Sequence, residues 1–183
     1  MLLSAANRPV IRQVVLPRPV SGAAASVIGM TIPPPRSAAD RKQHVLHLLE
    51  SEQDVWVATA SPAGEPALVP LSFAWTGSVL VLATPDGSPT GRNLAGSGTV
   101  RIALGGTRDV VMIDGRVRTF SSEQVPAEVA DPFAAKHTWD PRGDTSSSGA
   151  YAFFEVTPVR IQAWREENEL KGRTLMRDGA WRV

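Results

Sequence analysis

Between Thr84 and Arg92 the chain gathers hydroxyls at Thr84, Ser88 and Thr90, small residues at Gly87 and Gly91, and one guanidinium at Arg92. The preceding run is apolar and the following one opens a short helix, so the group sits where a strand hands over to a helix start. Such a corner suits a phosphate: helix-start amides point outward, hydroxyls donate into the same space, glycines allow close approach, and an arginine supplies a forked charge. The same residue types also describe an ordinary cap, with Ser88 or Thr90 closing the helix and Arg92 solvated. Residue types alone leave both readings open. A second group, Gly105, Gly106, Thr107, Arg108 and Asp109, reads as a hairpin turn with a solvated arginine. His44 and His47 lie three apart on a predicted helix, but no third ligand follows at a useful spacing, so that helix is expected to pack on a barrel end rather than hold a metal. His137, beside Lys136 in a polar stretch, reads as a surface residue, and no serine has a base at a diagnostic spacing. Trp139, Tyr151 and Trp164 are candidates for the wall of a substrate pocket, although aromatic residues on a barrel more often serve core or interface.

These groups must be positioned by a chain of 183 residues that is 43% hydrophobic, enough for one well-buried core. Its 19 basic and 18 acidic residues leave a formal charge of +1, so no broad field favours nucleic acid or anionic lipid, and any anion must be held locally. The chain has no cysteine, which excludes disulfides, thiolate metal sites and cysteine nucleophiles and makes a reducing cytoplasm the simplest compartment. No run approaches the ~18 consecutive apolar residues that a bilayer requires. The apolar start is broken by Arg12, Gln13, Pro17 and Arg18, unlike a secretory signal. Residues 1–36 read as a flexible extension. Met30, just before Thr31, Ile32 and the prolines Pro33 to Pro35, is a candidate alternative start.

From Ser37 the pattern predicts a capped helix through Glu50. Strands follow over 54–60, 66–75, 78–83, 99–104, 109–120 and 150–164, with a short helix after Pro89 and a helical stretch over 123–136 kinked at Pro132. Pro70 requires an edge, a bulge or a break in its ladder, and the apolar run 78–83 suits a strand covered on both faces. Residues 139–149, rich in Gly, Asp and Ser, read as a mobile loop. About six strands without strand–helix–strand alternation predict a mainly β protein with peripheral helices, an antiparallel barrel rather than a doubly wound sheet.

The segments DVWVATASPAGEP, ALVPLSFAW, LVLATPDGSPTGRNLAGSGTVRIALGGTRDVVMIDGRV and AYAFFEVTPVRIQAW, in this order, resemble the pyridoxamine 5'-phosphate oxidase-like split barrels, over about residues 40–165. More narrowly they resemble the flavin- and deazaflavin-dependent oxidoreductases of that superfamily. The resemblance implies a six-stranded antiparallel split β-barrel over 37–165 and a homodimer with cofactor sites at the subunit interface; it leaves both tails outside, and the weakly patterned C-terminal tail, 166–183, is expected from its own sequence to pack on the partner subunit. It places the cofactor phosphate on Thr84, Ser88, Thr90, Arg92 and Asn93 and the ring beside Val69, Pro70, Leu71 and Ser72. Many relatives carry a lysine where this chain has Thr90; Arg92, Arg108 or an arginine of the other subunit would have to compensate. The GGTRDVV segment resembles the deazaflavin-using branch, so coenzyme F420 stands beside FMN as the implied cofactor. The implied activity is hydride transfer between cofactor and a small organic substrate; the alternative is a non-catalytic split barrel that binds FMN, deazaflavin or haem.

Overall fold

The computed structural model describes residues 33–144 and 149–183. The candidate start at Met30, most of the expected extension and part of the expected loop at 139–149 lie outside those residues. No helix among the described residues is long and apolar enough to cross a membrane.

Ser37 opens α1 (Ala38–Ser51): its hydroxyl accepts from the Asp40 amide while Asp40 reaches back to the Ser37 amide, so two otherwise orphaned donors are satisfied. Val45 and Leu49, a helical turn apart, bury one face. Next come β1 (Asp54–Ala60), β2 (Pro66–Trp75), β3 (Leu80–Pro85), α2 (Pro89–Ser97), β4 (Thr99–Leu104), β5 (Val110–Ser121), α3 (Ala127–His137) and β6 (Tyr151–Trp164). The strands run in the order β3-β2-β1-β4-β5-β6, and β3 pairs with β6 to close a six-stranded antiparallel barrel. Closure covers most of the edge that an open sheet would leave exposed.

β3 shows why an almost wholly apolar strand is needed. Leu80 and Leu82 point into the barrel core with Val57, Phe73, Ile102, Ile113 and Phe154. Val81 and Ala83 point the other way, beneath α3, where they meet Val129, Ala130, Phe133 and Phe153. Both faces are therefore dry, as the sequence pattern predicts. α2 closes the barrel through Leu94, which is fully buried in the same core.

The barrel is not zipped evenly. β2 pairs with β1 along its whole first part, from Ala60↔Pro66 to Asp54↔Ser72. With β3 it pairs only through Phe73, Ala74 and Trp75, whereas β3 pairs with β6 along its whole length, from Leu80 to Pro85. From Pro66 to Ser72 the outer edge of β2 thus has no strand partner among the described residues. Pro70 lies in that stretch, where its missing N–H breaks no ladder on that side.

The C-terminal segment, weakly patterned in sequence, forms a 3-10 turn (Glu167–Glu169), β7 (Thr174–Arg177), which pairs with β6, and β8 (Ala180–Trp181), which pairs with β7. It is held by Glu169, which is only 4% exposed. Glu169 Oε1 accepts from the Arg36 backbone amide at 2.9 Å and from Arg36 Nε at 3.0 Å. Its Oε2 accepts from Arg36 Nη2 and from the Arg165 amide, both at 2.8 Å. Arg36, which sequence assigns to the extension, is therefore pinned to the barrel. Its hydrogen bonds pull the Glu169 carboxyl down to about 2, against an opposing effect of burial.

Candidate cofactor site

The seam between β2 and β3 and the start of α2 bring most of the predicted residues into two neighbouring hollows. One, about 470 Å³, is lined by Pro66 and Ala67 at the start of β2, by Ser61 and Glu65 of the β1–β2 turn, and by Arg92 and Asn93 of α2. The other, about 300 Å³, is lined by Pro70, Leu71 and Ser72 farther along β2, by Thr84 at the end of β3, and by Asp54, Phe133, Trp139 and Tyr151. Val69 lies between them on the same unpartnered strand edge.

At the helix start the Ser88 hydroxyl accepts from the Gly91 amide at 2.9 Å and so caps α2, while its oxygen lies 3.4 Å from Thr84 Oγ1. Pro89 removes one first-turn donor and Ser88 satisfies another. The amides of Gly87 and Thr90 keep no partner among the described residues, so fewer helix-start donors are free than the residue types suggest. Gly91 is dictated by packing: a Cβ there would come within 2.5 Å of the Pro85 carbonyl and 3.0 Å of that of Asp86. The 85–88 turn folds directly onto the helix, and only glycine leaves room for it.

The remaining side chains are differently disposed. Thr90 is buried, 5% exposed, and carries no charge. Asn93 donates from Nδ2 to Thr59 Oγ1 at 3.2 Å, which ties α2 to β1. Arg92 is exposed and folds back so that Nη1 donates to the Gly87 carbonyl. Arg108 stands apart from the other candidates within the chain: it pairs with Glu166 at 3.3 Å and lines a separate hollow with Pro33, Arg36 and Arg165.

The second hollow has an aromatic wall that α3 delivers. Phe133 lies edge-on to Trp139 with centroids 6.2 Å apart, and Trp139 lies edge-on to Tyr151 at 5.1 Å. His137, expected at the surface, is part-buried, with Nε2 3.0 Å from the Phe73 carbonyl. Trp164 is not on this wall; the Arg173 guanidinium covers it at 5.4 Å. The sequence did not single out Asp54 and Phe133. Asp54 Oδ1 accepts from Ser72 Oγ at 2.7 Å, a contact created by the Asp54↔Ser72 register.

An unpaired strand edge, two free amides beside two hydroxyls, one arginine and an aromatic wall suit a planar ring with polar edges that also bears an anionic group. The architecture is a split barrel. The family model for pyridoxamine 5'-phosphate oxidase matches residues 42–165, and the chain belongs to that family. Solved structures agree on the fold. The General Stress Protein 26 of Bacillus anthracis superimposes with a TM-score of 0.54 at 16% identity, covering 69% of this chain and 95% of its own. The conserved hypothetical protein Rv2991 of Mycobacterium tuberculosis has a TM-score of 0.54 at 16% identity, covering 69% of this chain and 86% of its own. HutZ, the heme storage protein of Vibrio cholerae, has a TM-score of 0.55 at 12% identity, covering 67% of this chain and 94% of its own. No curated protein sequence matches the chain.

Proposed function

We propose that this protein is an oxidoreductase that holds FMN or the deazaflavin coenzyme F420 in the seam between β2 and β3 and transfers a hydride between it and a small organic substrate. The observation that carries this reading is the outer edge of β2 from Pro66 to Ser72, which has no strand partner among the described residues and runs beside the capped start of α2. The cofactor, when bound, supplies the two-electron chemistry. The chain's part is to bind, orient and exclude water. Backbone groups of Val69 to Ser72 would meet the polar edge of the ring, the Thr84 and Ser88 hydroxyls and the Thr90 amide would donate to the phosphate, and Arg92 would exchange its bond to the Gly87 carbonyl for one to the phosphate. Phe133, Trp139 and Tyr151 would keep water from the ring.

The site is proposed to be completed by a second copy of the chain. On the outer face of the β2-β1-β4-β5 sheet, Trp56 is 49% and Leu68 62% exposed, beside Ala58, Ala103, Met112 and one charged residue, Arg101, around a hollow of about 320 Å³. An apolar patch of this kind on an otherwise polar sheet marks a contact surface.

Titrating the purified protein with FMN, F420 and haem, followed by visible absorbance and tryptophan quenching, tests the reading. Tight binding of FMN or F420, weakened by about 1–3 kcal/mol in Arg92→Ala, is expected. Unchanged affinity in that variant would move the phosphate elsewhere, and failure of both cofactors to bind would end the redox assignment. A second reading, a non-catalytic carrier of FMN, deazaflavin or haem, is favoured by the uncharged, buried Thr90, which leaves Arg92 as the lone cation of the α2 start. Cofactor binding without turnover of any electron donor or acceptor would select it.

A further inference from the structure

The turn from Gly105 to Asp109, which the cofactor corner leaves aside, belongs to a second polar site. Three arginines from distant parts of the chain line one hollow of about 270 Å³: Arg36 ahead of α1, Arg108 in the β4–β5 turn and Arg165 directly after β6. It shares no lining residue with the two hollows of the cofactor site. Its acids are Glu166 and Glu169, with Asp109 outside the lining. By charge alone the cluster is balanced, so its hydrogen bonds decide what it can hold. Glu169 accepts from Arg36 three times and from the Arg165 amide, which spends its lone pairs. Asp109 accepts from Arg36 Nη2 on one oxygen and from Arg165 Nε on the other, with His44 Nε2 at 3.1 Å. Glu166 Oε1 accepts from Arg108 Nε, and Asn168 Nδ2 donates to the Pro33 carbonyl. Among the described residues, Arg36 Nη1 and both Nη groups of Arg108 and of Arg165 are left without an acceptor, against Glu166 Oε2 and the Asn168 side-chain oxygen. Arg36 Nη1 is moreover buried, and a buried donor without an acceptor is costly.

Unspent guanidinium donors lining one small hollow match an oxyanion, whose several oxygens accept forked N–H pairs. A cation would find a single free carboxylate oxygen among three arginines. The volume lies just below the ~300–1,000 Å³ of ordinary ligand clefts, which suits a compact anion rather than a cofactor. The geometry points to a site for a small polycarboxylate or phosphate, separate from the proposed cofactor site, whose occupant ties the segment ahead of α1 and the Glu167–Glu169 turn to the β4–β5 turn. The occupant supplies acceptors that the three arginines lack, so binding stabilises the folded chain.

Malonate and orthophosphate are the probes, each titrated at constant ionic strength with tetramethylammonium chloride as the reference salt, and thermal unfolding and calorimetry are the readouts. At tenfold the dissociation constant, an occupied site should raise Tm by about 3–6 °C. The tighter of the two anions shows whether carboxylate or phosphate is the natural class. Arg108→Gln changes a side chain that is 78% exposed, so it is expected to fold and to weaken the anion about tenfold or more. Arg165→Gln should weaken it likewise. Arg116→Gln, exposed on β5 and outside the hollow, should change nothing, and Arg92→Ala, at the start of α2, should leave malonate binding intact. No heat and no Tm shift with either anion, an equal shift with chloride, or parental affinity in both Arg108→Gln and Arg165→Gln overturns the inference. FMN or F420 should bind equally well in saturating malonate; competition between them would put the anion in the cofactor site and overturn the inference too.

Discussion

Replacing Gly91 by alanine perturbs the cofactor corner at its tightest point. Alanine inside an exposed helix is ordinarily worth up to about 1 kcal/mol over glycine. At Gly91 the new Cβ would lie 2.5 Å from the Pro85 carbonyl oxygen and 3.2 Å from Ser88 Oγ. Ordinary carbon contacts begin near ~3.5 Å, so the 85–88 turn must retreat by about 1 Å. Overpacking of that order costs about 1–3 kcal/mol, which outweighs the helix gain and leaves a net loss of about 1–2 kcal/mol. Gly96, in the same helix, provides the internal control, because a Cβ there meets nothing within 4 Å. Gly96→Ala is therefore expected to be neutral or stabilising by up to about 1 kcal/mol. Thermal denaturation followed by tryptophan fluorescence measures both, with Tm falling by about 3–6 °C for Gly91→Ala and holding or rising for Gly96→Ala. The displaced turn carries Gly87 and Ser88, so FMN or F420 affinity should fall with Gly91→Ala and be unchanged with Gly96→Ala. Two variants that shift stability in the same direction, or a Gly91→Ala protein that binds cofactor like the parent, would refute the close-packed corner.

Glu169→Gln should destabilise the protein by about 3 kcal/mol at neutral pH, since the fall of the carboxyl from 4.5 to about 2 represents stabilisation of that order. Because the folded-state value is the lower one, that contribution is complete above about pH 4.5 and disappears as pH falls towards 2. Parent and variant denaturation midpoints should therefore converge on acidification, and a gap as large at pH 2 as at neutral pH would show that the charge of Glu169 is not what stabilises it. Leu68→Glu, on the exposed apolar face, should leave the fold intact and weaken self-association about tenfold or more, read by sedimentation velocity. A parent protein that is monomeric at tens of micromolar would remove the proposed partner copy.

Much of the barrel was determined by local pattern. The alternation in β1, the two-faced apolar run of β3 and the Ser37/Asp40 cap each follow from chemistry within a few residues; β1 and the cap form where the sequence places them, and β3 forms two residues later than the expected 78–83, at Leu80–Pro85. The strand-to-helix corner was legible for the same reason, because Thr84 to Arg92 are contiguous. The C-terminal strands were not: β7 and β8 are short, and they form by pairing with β6 and with each other, on a segment that Glu169 ties to Arg36 across 133 residues.

The sequence by itself determined the type of fold and the residues of the helix-start corner, since periodicity and turn chemistry are properties of neighbouring residues. Only the tertiary structure decided that Arg108 stands with Glu166 away from that corner, that Thr90 is buried, and that Asp54 meets Ser72 in a hollow that Trp139 also lines. Those outcomes depend on strand register and on where the seam opens. A shift of a single residue would turn every side chain of β2 to the other face, and no local pattern encodes which strand lets go.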